Sequence, residues 1–303
     1  MAERVESVNN NKRILKTGVL AVAATTLFAV FIYRVAEWSG THSEMAVQEQ
    51  ANLNCSGVAG NALQTTKVIP QIPLGTFDGG RTTYTTIIQV VNAGEAAQNI
   101  AANFYKEDGT PLDNVTLTAG TSSIESGVLS STSIVKDGIL VISGGGTADT
   151  GIIAWGKIAA CGGLALSTFF ELRDAANNIL YSRVGVAASA PNMSSFVIPR
   201  IREVATGLDV GFALVNTSSS GMATVTAELK DAAGKTIATK NIPMAGGEHR
   251  AGFTKDLFAP LNETKNGRIY QYVKFNSTSP TLAAIALAFE GSTQTSFAAE
   301  ALQ

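Results

Sequence analysis

Residues Met222–Lys230 alternate without a break. Ala223, Val225, Ala227 and Leu229 fall on one side of an extended chain, and Thr224, Thr226, Glu228 and Lys230 on the other. Successive side chains of a strand point to opposite faces, so the pattern specifies a strand with one buried and one wet face. Gln98–Lys106 repeats it with Ile100, Ala102 and Phe104. Similar short runs, separated by Gly, Asn, Asp and Ser, continue from Lys67 to the C-terminus. They amount to about nine candidate strands in 67–190 and about eight in 195–303, the regular spacing of sandwiches. Only short helices are expected, such as Thr254–Phe258 with Thr254 as N-cap. The expected fold class is therefore mainly β.

The two strand-rich stretches read as copies of one another. IIQVVN (87–92) matches GFALVN (211–216), and IAANFYKEDGTPL (100–112) matches VTAELKDAAGKTI (225–237) after a one-residue shift. That alignment pairs Phe104 with Leu229 and Gly109 with Gly234, each glycine sitting in a turn where it supplies positive φ. TLTAG (116–120) parallels IPMAG (242–246), and AWGKI (154–158) parallels QYVKF (271–275), pairing Lys157 with Lys274. The expectation is an internal duplication, with β-sandwich domains over 67–190 and 191–303 and a boundary near Ala190-Pro191-Asn192. Two unrelated sandwiches sharing a generic strand grammar are the alternative.

Val91-Asn92 through Gly109, and Val215-Asn216 through Gly234, form a strand–turn–strand signature. In this the chain resembles the tandem Ig-like β-sandwich modules of bacterial exported, membrane-anchored proteins. The resemblance covers most of 67–303. It implies an extracytoplasmic binding or spacer role, and it transfers no catalytic residue.

Ahead of these stretches lies an apolar run, Ile14–Ala36, uncharged from Thr17 to Tyr33. At about 1.5 Å per residue a helix of this length crosses a bilayer core of about 30 Å. Lys12, Arg13 and Lys16 crowd its N-terminal side. The positive-inside rule then keeps tail 1–13 in the cytoplasm and carries 37–303 across, with 37–66 as a polar connector. A cleavable signal peptide is the competing reading. Against it, bulky Phe31, Ile32, Tyr33 and Trp38 stand where a cleavage site needs small residues. Gly18, Ala21, Thr25, Ala29 and Ala36 share one face of the helix, a surface on which a second membrane helix could pack closely.

Cys55 and Cys161 are the two cysteines. An even count in an exported chain suggests a disulfide tying the connector to the first domain, with two separate thiols as the alternative. Only 15% of residues are charged and the formal net charge is −2, so no basic stripe is available for nucleic acid. His42 and His249 are the two histidines. His249 lies in GGEHRAGF beside a Gly-Gly turn, where exposed polar residues are ordinary, and no G-x-S-x-G elbow accompanies it. Metal spacings and phosphate loops are absent, so no cofactor is expected. Tyr270 and Tyr272 share a face opposite Ile269, Val273 and Phe275, and form a candidate interface.

The functional expectation is a non-enzymatic, single-pass accessory or scaffold subunit of a larger membrane complex. Respiratory, photosynthetic, secretion and transport assemblies all fit. Its partners would be other membrane proteins and the lipid itself. A surface adhesin or glycan-binding protein is the first alternative and an envelope hydrolase the second.

Overall fold

The computed structural model describes Leu53, Cys55 and residues 64–113, 115–145, 150–259, 268–290 and 293–302. The expected membrane helix over 14–36, its small-residue face (Gly18, Ala21, Thr25, Ala29) and His42 lie outside the described residues. Among the described residues no helix is long and apolar enough to cross a membrane. The described chain is mainly β, and every strand pairing is antiparallel.

The first half holds β1 (Gln64–Phe77), β2 (Thr82–Asn92), β3 (Gln98–Lys106), β4 (Leu117–Ala119), β5 (Ser122–Ile124), β6 (Val128–Ile134), β7 (Ile139–Gly145), β8 (Ile152–Cys161), β9 (Leu164–Asp174) and β10 (Leu180–Val186). They form one near-closed, barrel-like sheet because β1 serves two neighbours. Gln64–Leu74 pairs with β8, and Gly75–Phe77 pairs with β2. Gly75, at φ +83°, sits at the hand-over, where the chain must turn out of one ladder into the other. The sheet thereby divides into layer A, ordered β1-β8-β3-β6, and layer B, in which β2 lies between β9-β10 on one flank and β7-β4-β5 on the other. Ile69, Ile100, Phe104 and Ile158 of layer A share one core with Ile88, Val90, Leu117 and Ile142 of layer B.

The second half holds β11 (Ser195–Glu203), β12 (Asp209–Asn216), β13 (Ala223–Lys230), β14 (Thr236–Met244), β15 (His249–Phe253), α1 (Thr254–Leu257), β16 (Arg268–Ser277), β17 (Leu282–Glu290), β18 (Thr293–Ala298) and β19 (Glu300–Ala301). Sheet C runs β15-β12-β17-β18 and sheet D runs β14-β13-β16-β11-β19. Phe212, Leu214, Ala284 and Ala286 of C meet Phe196, Val225, Leu229 and Phe275 of D in the second core. At α1, Phe253 takes the N-cap position, without a side-chain cap bond. Thr254 is inside the helix, its hydroxyl buried with no hydrogen-bond partner, which corrects the expected capping role.

Strand for strand the orders correspond. Layer A (β1-β8-β3-β6) has the order of β11-β16-β13-β14, and β10-β9-β2-β7 has that of β18-β17-β12-β15. Lys157 faces Val68 and Asn103 in its ladders as Lys274 faces Val197 and Glu228. One of the expected parallels fails. TLTAG forms β4, beside β7, whereas IPMAG closes β14, beside β13. The counterpart of Met244-Ala245 is Ile134-Val135, and the detour through β4 and β5 has no equivalent in the second half.

The match is fixed by two buried asparagines. The Asn92 amide donates to the carbonyls of Ala96, Ile134 and Val135 at 2.9–3.0 Å. The Asn216 amide donates to those of Gly221, Met244 and Ala245 at 2.8–3.3 Å. Both residues are 0% exposed, and each amide ties one strand end to buried backbone carbonyls of neighbouring segments.

Layer A and sheet C meet face to face. Trp155, Tyr105 and Val68 pack on Val215 and Ala283, with the Trp155 and Tyr105 rings stacked 4.4 Å apart. Beyond the edge of layer A, Phe170, Leu172, Val184 and Phe77 continue the seam onto Phe253, Ile285, Leu287 and Phe289. Sheet C is consequently apolar on both faces, and β12 (DVGFALVN) is buried at every position. Burial of a side chain such as Trp155 contributes about 3 kcal/mol, so a seam of this composition joins the halves firmly.

Candidate functional site

The surface candidates lie on the outermost faces of the stack. Along β16, Val273 and Phe275 turn inward, Phe275 against Phe196 and Phe212. The intervening Tyr270 and Tyr272 are turned outward, Tyr270 62% exposed and Tyr272 half-buried. Their cross-strand neighbours on β11 are Ile201 and Pro199. Ion pairs flank them, Arg268 with Glu203 at 2.8 Å and Lys230 with Glu228 at 3.2 Å. The structure thus places both tyrosines on one strand face.

At the opposite end of the stack, layer B carries a face the sequence reading missed. Ile139 is 61% and Val141 40% exposed on β7, beside Val91 and Gln89 of β2. The signal was the run ILVI at 139–142, apolar at both parities. Leu140 and Ile142 supply the core, and the other two residues are left over for the surface.

Groups with chemical potential are mostly enclosed. His249 is buried, not exposed as its Gly-Gly setting suggested, because β15 slides under the turn after β3. Its backbone N–H donates to the Glu107 carbonyl at 2.8 Å, and Nδ1 stands 3.7 Å from Glu107 Oε1. Lys157 donates from Nζ to the Thr217 carbonyl at 2.6 Å and lies over the Trp155 ring. Burial in the seam pushes its pKa down to about 8 and pushes the Tyr105 phenol up to about 12.

A charged network closes one end of the second core. Arg200 is 0% exposed, and its guanidinium donates to Gln271 Oε1. Desolvation lowers its pKa, and the Asp209 charge opposes that shift. Asp209 is raised by burial against the pull of Lys255, which stands 3.5 Å away, and Asp256 is raised for the same reason. On layer B, burial works to raise Glu171, but hydrogen bonds from Arg173 and Arg183 outweigh it and hold the carboxyl below its ordinary value. In both places carboxylates are matched to cations, which is how structural ion-pair networks perturb pKa values.

No family model, no curated protein and no solved structure matches the chain.

The remaining candidates divide simply. A disulfide joins Cys55 to Cys161 and so ties the connector to the end of β8. Among the described residues no group of three or more His, Cys, Asp or Glu side chains is placed to hold a metal ion. Asn216 begins an Asn-x-Ser triplet, but its amide is consumed in the strand-end knot and is closed to modification in the folded chain. Two outer sheet faces therefore stay exposed, one carrying Ile139 and Val141 and the other carrying Tyr270 and Tyr272.

Proposed function

We propose that this chain is a non-enzymatic, membrane-anchored scaffold subunit of a larger membrane complex. Its extracytoplasmic part is a duplicated pair of Ig-like β-sandwiches. In this reading β1 belongs to one sandwich sheet and strays into the other, which gives the first half its barrel-like continuity. The observation that carries the proposal is the seam of Trp155, Tyr105, Val215 and Ala283, continued by Phe170 and Phe289. It fuses two β units into one body and leaves flat faces outermost, an arrangement suited to holding partners at fixed positions. The disulfide supports an oxidising compartment and shortens the tether. From the end of the expected membrane helix to Cys55 the chain has about 19 residues, at most about 65 Å when fully extended.

Purification of the full chain in mild detergent, followed by mass spectrometry, tests the reading. Stoichiometric membrane proteins should accompany it. A chain that purifies without them and is retained on a glycan array through Tyr270 and Tyr272 is an adhesin instead. N-terminal sequencing that begins between residues 37 and 45 would remove the anchor.

A further inference from the structure

The stack runs layer B, layer A, sheet C, sheet D, and its internal seam joins the outer face of a β1-type layer to the outer face of a β2-type layer. Each half contains both types, so each has one such face left over. We propose that the two leftover faces bind one another between copies of this chain, giving head-to-tail self-association that repeats the internal seam.

The strand registers set out the correspondence. Tyr272 pairs with Lys230 as Trp155 pairs with Tyr105, so Tyr272 holds on sheet D the place of Trp155 on layer A. One step along each strand pair, Tyr270 holds the place of Ile153, which packs into the seam. On the receiving side, Val91 pairs with Ile139 and Ala165 as Val215 pairs with His249 and Ala283. Ile139 is therefore the counterpart of His249, and Val141 that of Ala251.

Burial differs at these matched positions, and the free faces carry apolar or aromatic side chains at several of them, Val91 for Val215, Ile139 for His249 and Tyr272 for Trp155, with Lys230 in place of Tyr105. His249 is 3% exposed under the first half, whereas Ile139 is 61% exposed. Ile153 packs into the seam, whereas Tyr270, at the matching position of the free face, is 62% exposed. Large apolar side chains left exposed on an otherwise polar sheet face are the residues a β-sheet covers with a partner. Here the face known to fit such a surface is the corresponding face of the same chain.

The polar detail also carries over. Lys157 spans the seam to the Thr217 carbonyl, and the Thr217 N–H donates to the Thr281 carbonyl as the Ala93 N–H donates to that of Gly163. Lys274, the counterpart of Lys157, accordingly reaches the Ala93 carbonyl of the next copy. The contact joins unlike faces, so it is heterologous and builds rings or open rows. It lacks the part of the seam made by Phe170, Leu172 and Phe289, and is weaker than the internal one for that reason.

Sedimentation of the full chain in detergent, across a range of concentrations, reads the proposal directly. Wild type should associate with increasing concentration. Ile139→Asp, which spoils the layer B face, and Tyr272→Asp, which spoils the sheet D face, should each weaken association by about 30-fold or more. Both side chains lie on outer faces of the single chain, Ile139 exposed and Tyr272 half-buried, so melting temperatures should stay within a few degrees of wild type, confirming folded samples. The decisive sample is an equal mixture of the two variants. Each retains the face the other has lost, so the mixture should form dimers and stop there. Association unaffected by either substitution, as packing of membrane helices would give, overturns the proposal. So does a wild type that remains monomeric, or a mixture that stays as monomeric as its components. A chain that self-associates but purifies with no other membrane protein would keep this inference and remove the scaffold reading.

Discussion

The two halves carry the same strand order and the same asparagine knot, yet corresponding faces meet opposite fates. In the first half the β1-type layer is covered and the β2-type layer faces outward; in the second half the assignment is reversed. Positions that terminate strands share their chemistry, as Asn92 and Asn216 show. Positions on faces differ with their surroundings, so that Tyr105 stands in the seam where Lys230 stands on the surface. Backbone hydrogen bonding is dictated within one half, whereas the chemistry of a face depends on what is packed against it.

Substitutions at matched positions are the sharpest way to break this comparison. Trp155→Ala empties the centre of the seam and should cost about 4 kcal/mol, with a lower denaturation midpoint and easier proteolysis between the halves. Tyr272→Ala, at the corresponding surface position, should cost under about 1 kcal/mol. Equal losses on chemical denaturation would mean that the internal seam is not what separates the two faces.

The knots should behave alike. Asn92→Ala and Asn216→Ala each strand buried carbonyls, and each should lose about 3 kcal/mol. A difference of more than about 1 kcal/mol between them would argue against equivalent roles.

The turn glycines should not behave alike. Gly109 and Gly234 have φ +86° and +81°, so alanine at either incurs about 1 kcal/mol of left-handed strain. A Cβ at Gly109 would also lie 3.0 Å from the Gly247 carbonyl oxygen across the seam, whereas Gly234 has only the Tyr272 hydroxyl, at 3.7 Å. Gly109→Ala should therefore cost about 2 kcal/mol, roughly twice the loss for Gly234→Ala. Thermal melts of the two variants side by side decide it.

The smallest effect is one of pH. Lys157 has a folded pKa of about 8, below its unfolded value, so the unfolded chain binds the proton more readily. The resulting destabilisation is fully present below about pH 8 and disappears as pH rises towards about 10.4. Stability should climb across that window by on the order of 1–2 kcal/mol, allowing for residual solvent contact, and Lys157→Met should flatten the climb. Above about pH 10 the trend reverses. Tyr105, raised to about 12, stays protonated in the fold while the unfolded chain ionises, so stability falls from there. Denaturant titrations between pH 7 and 11, with and without the substitution, measure both limbs.

Much of the fold was legible residue by residue. The alternation of Ala223–Lys230 became a strand buried at every second position, and LVN and VVN marked equivalent strand ends. Gln98–Lys106 misled in one respect. It reads as one-sided, but Ala101 and Tyr105 on its second face are buried as well, Tyr105 against Val215 and Ala283 of sheet C. His249 was misread for the same reason, its surroundings coming from the turn at Glu107, far away in sequence. The Tyr270 and Tyr272 face could be found because a polar–apolar alternation exposes it. The Ile139 and Val141 face could not, since an apolar run does not say which of its parities has a neighbour.

The sequence by itself determined the β class, the strand ends, the turn glycines and the inward face of most strands. These follow from φ/ψ preference, from side-chain period and from the need to bury apolar groups, all of which act over a few residues. Tertiary structure alone decided that β1 would serve two ladders, that β4 and β5 would join β7, and which outer face of each half would be covered. Those outcomes depend on pairing and packing between segments distant in sequence, where several partners satisfy the same local pattern and only the complete set of contacts selects one.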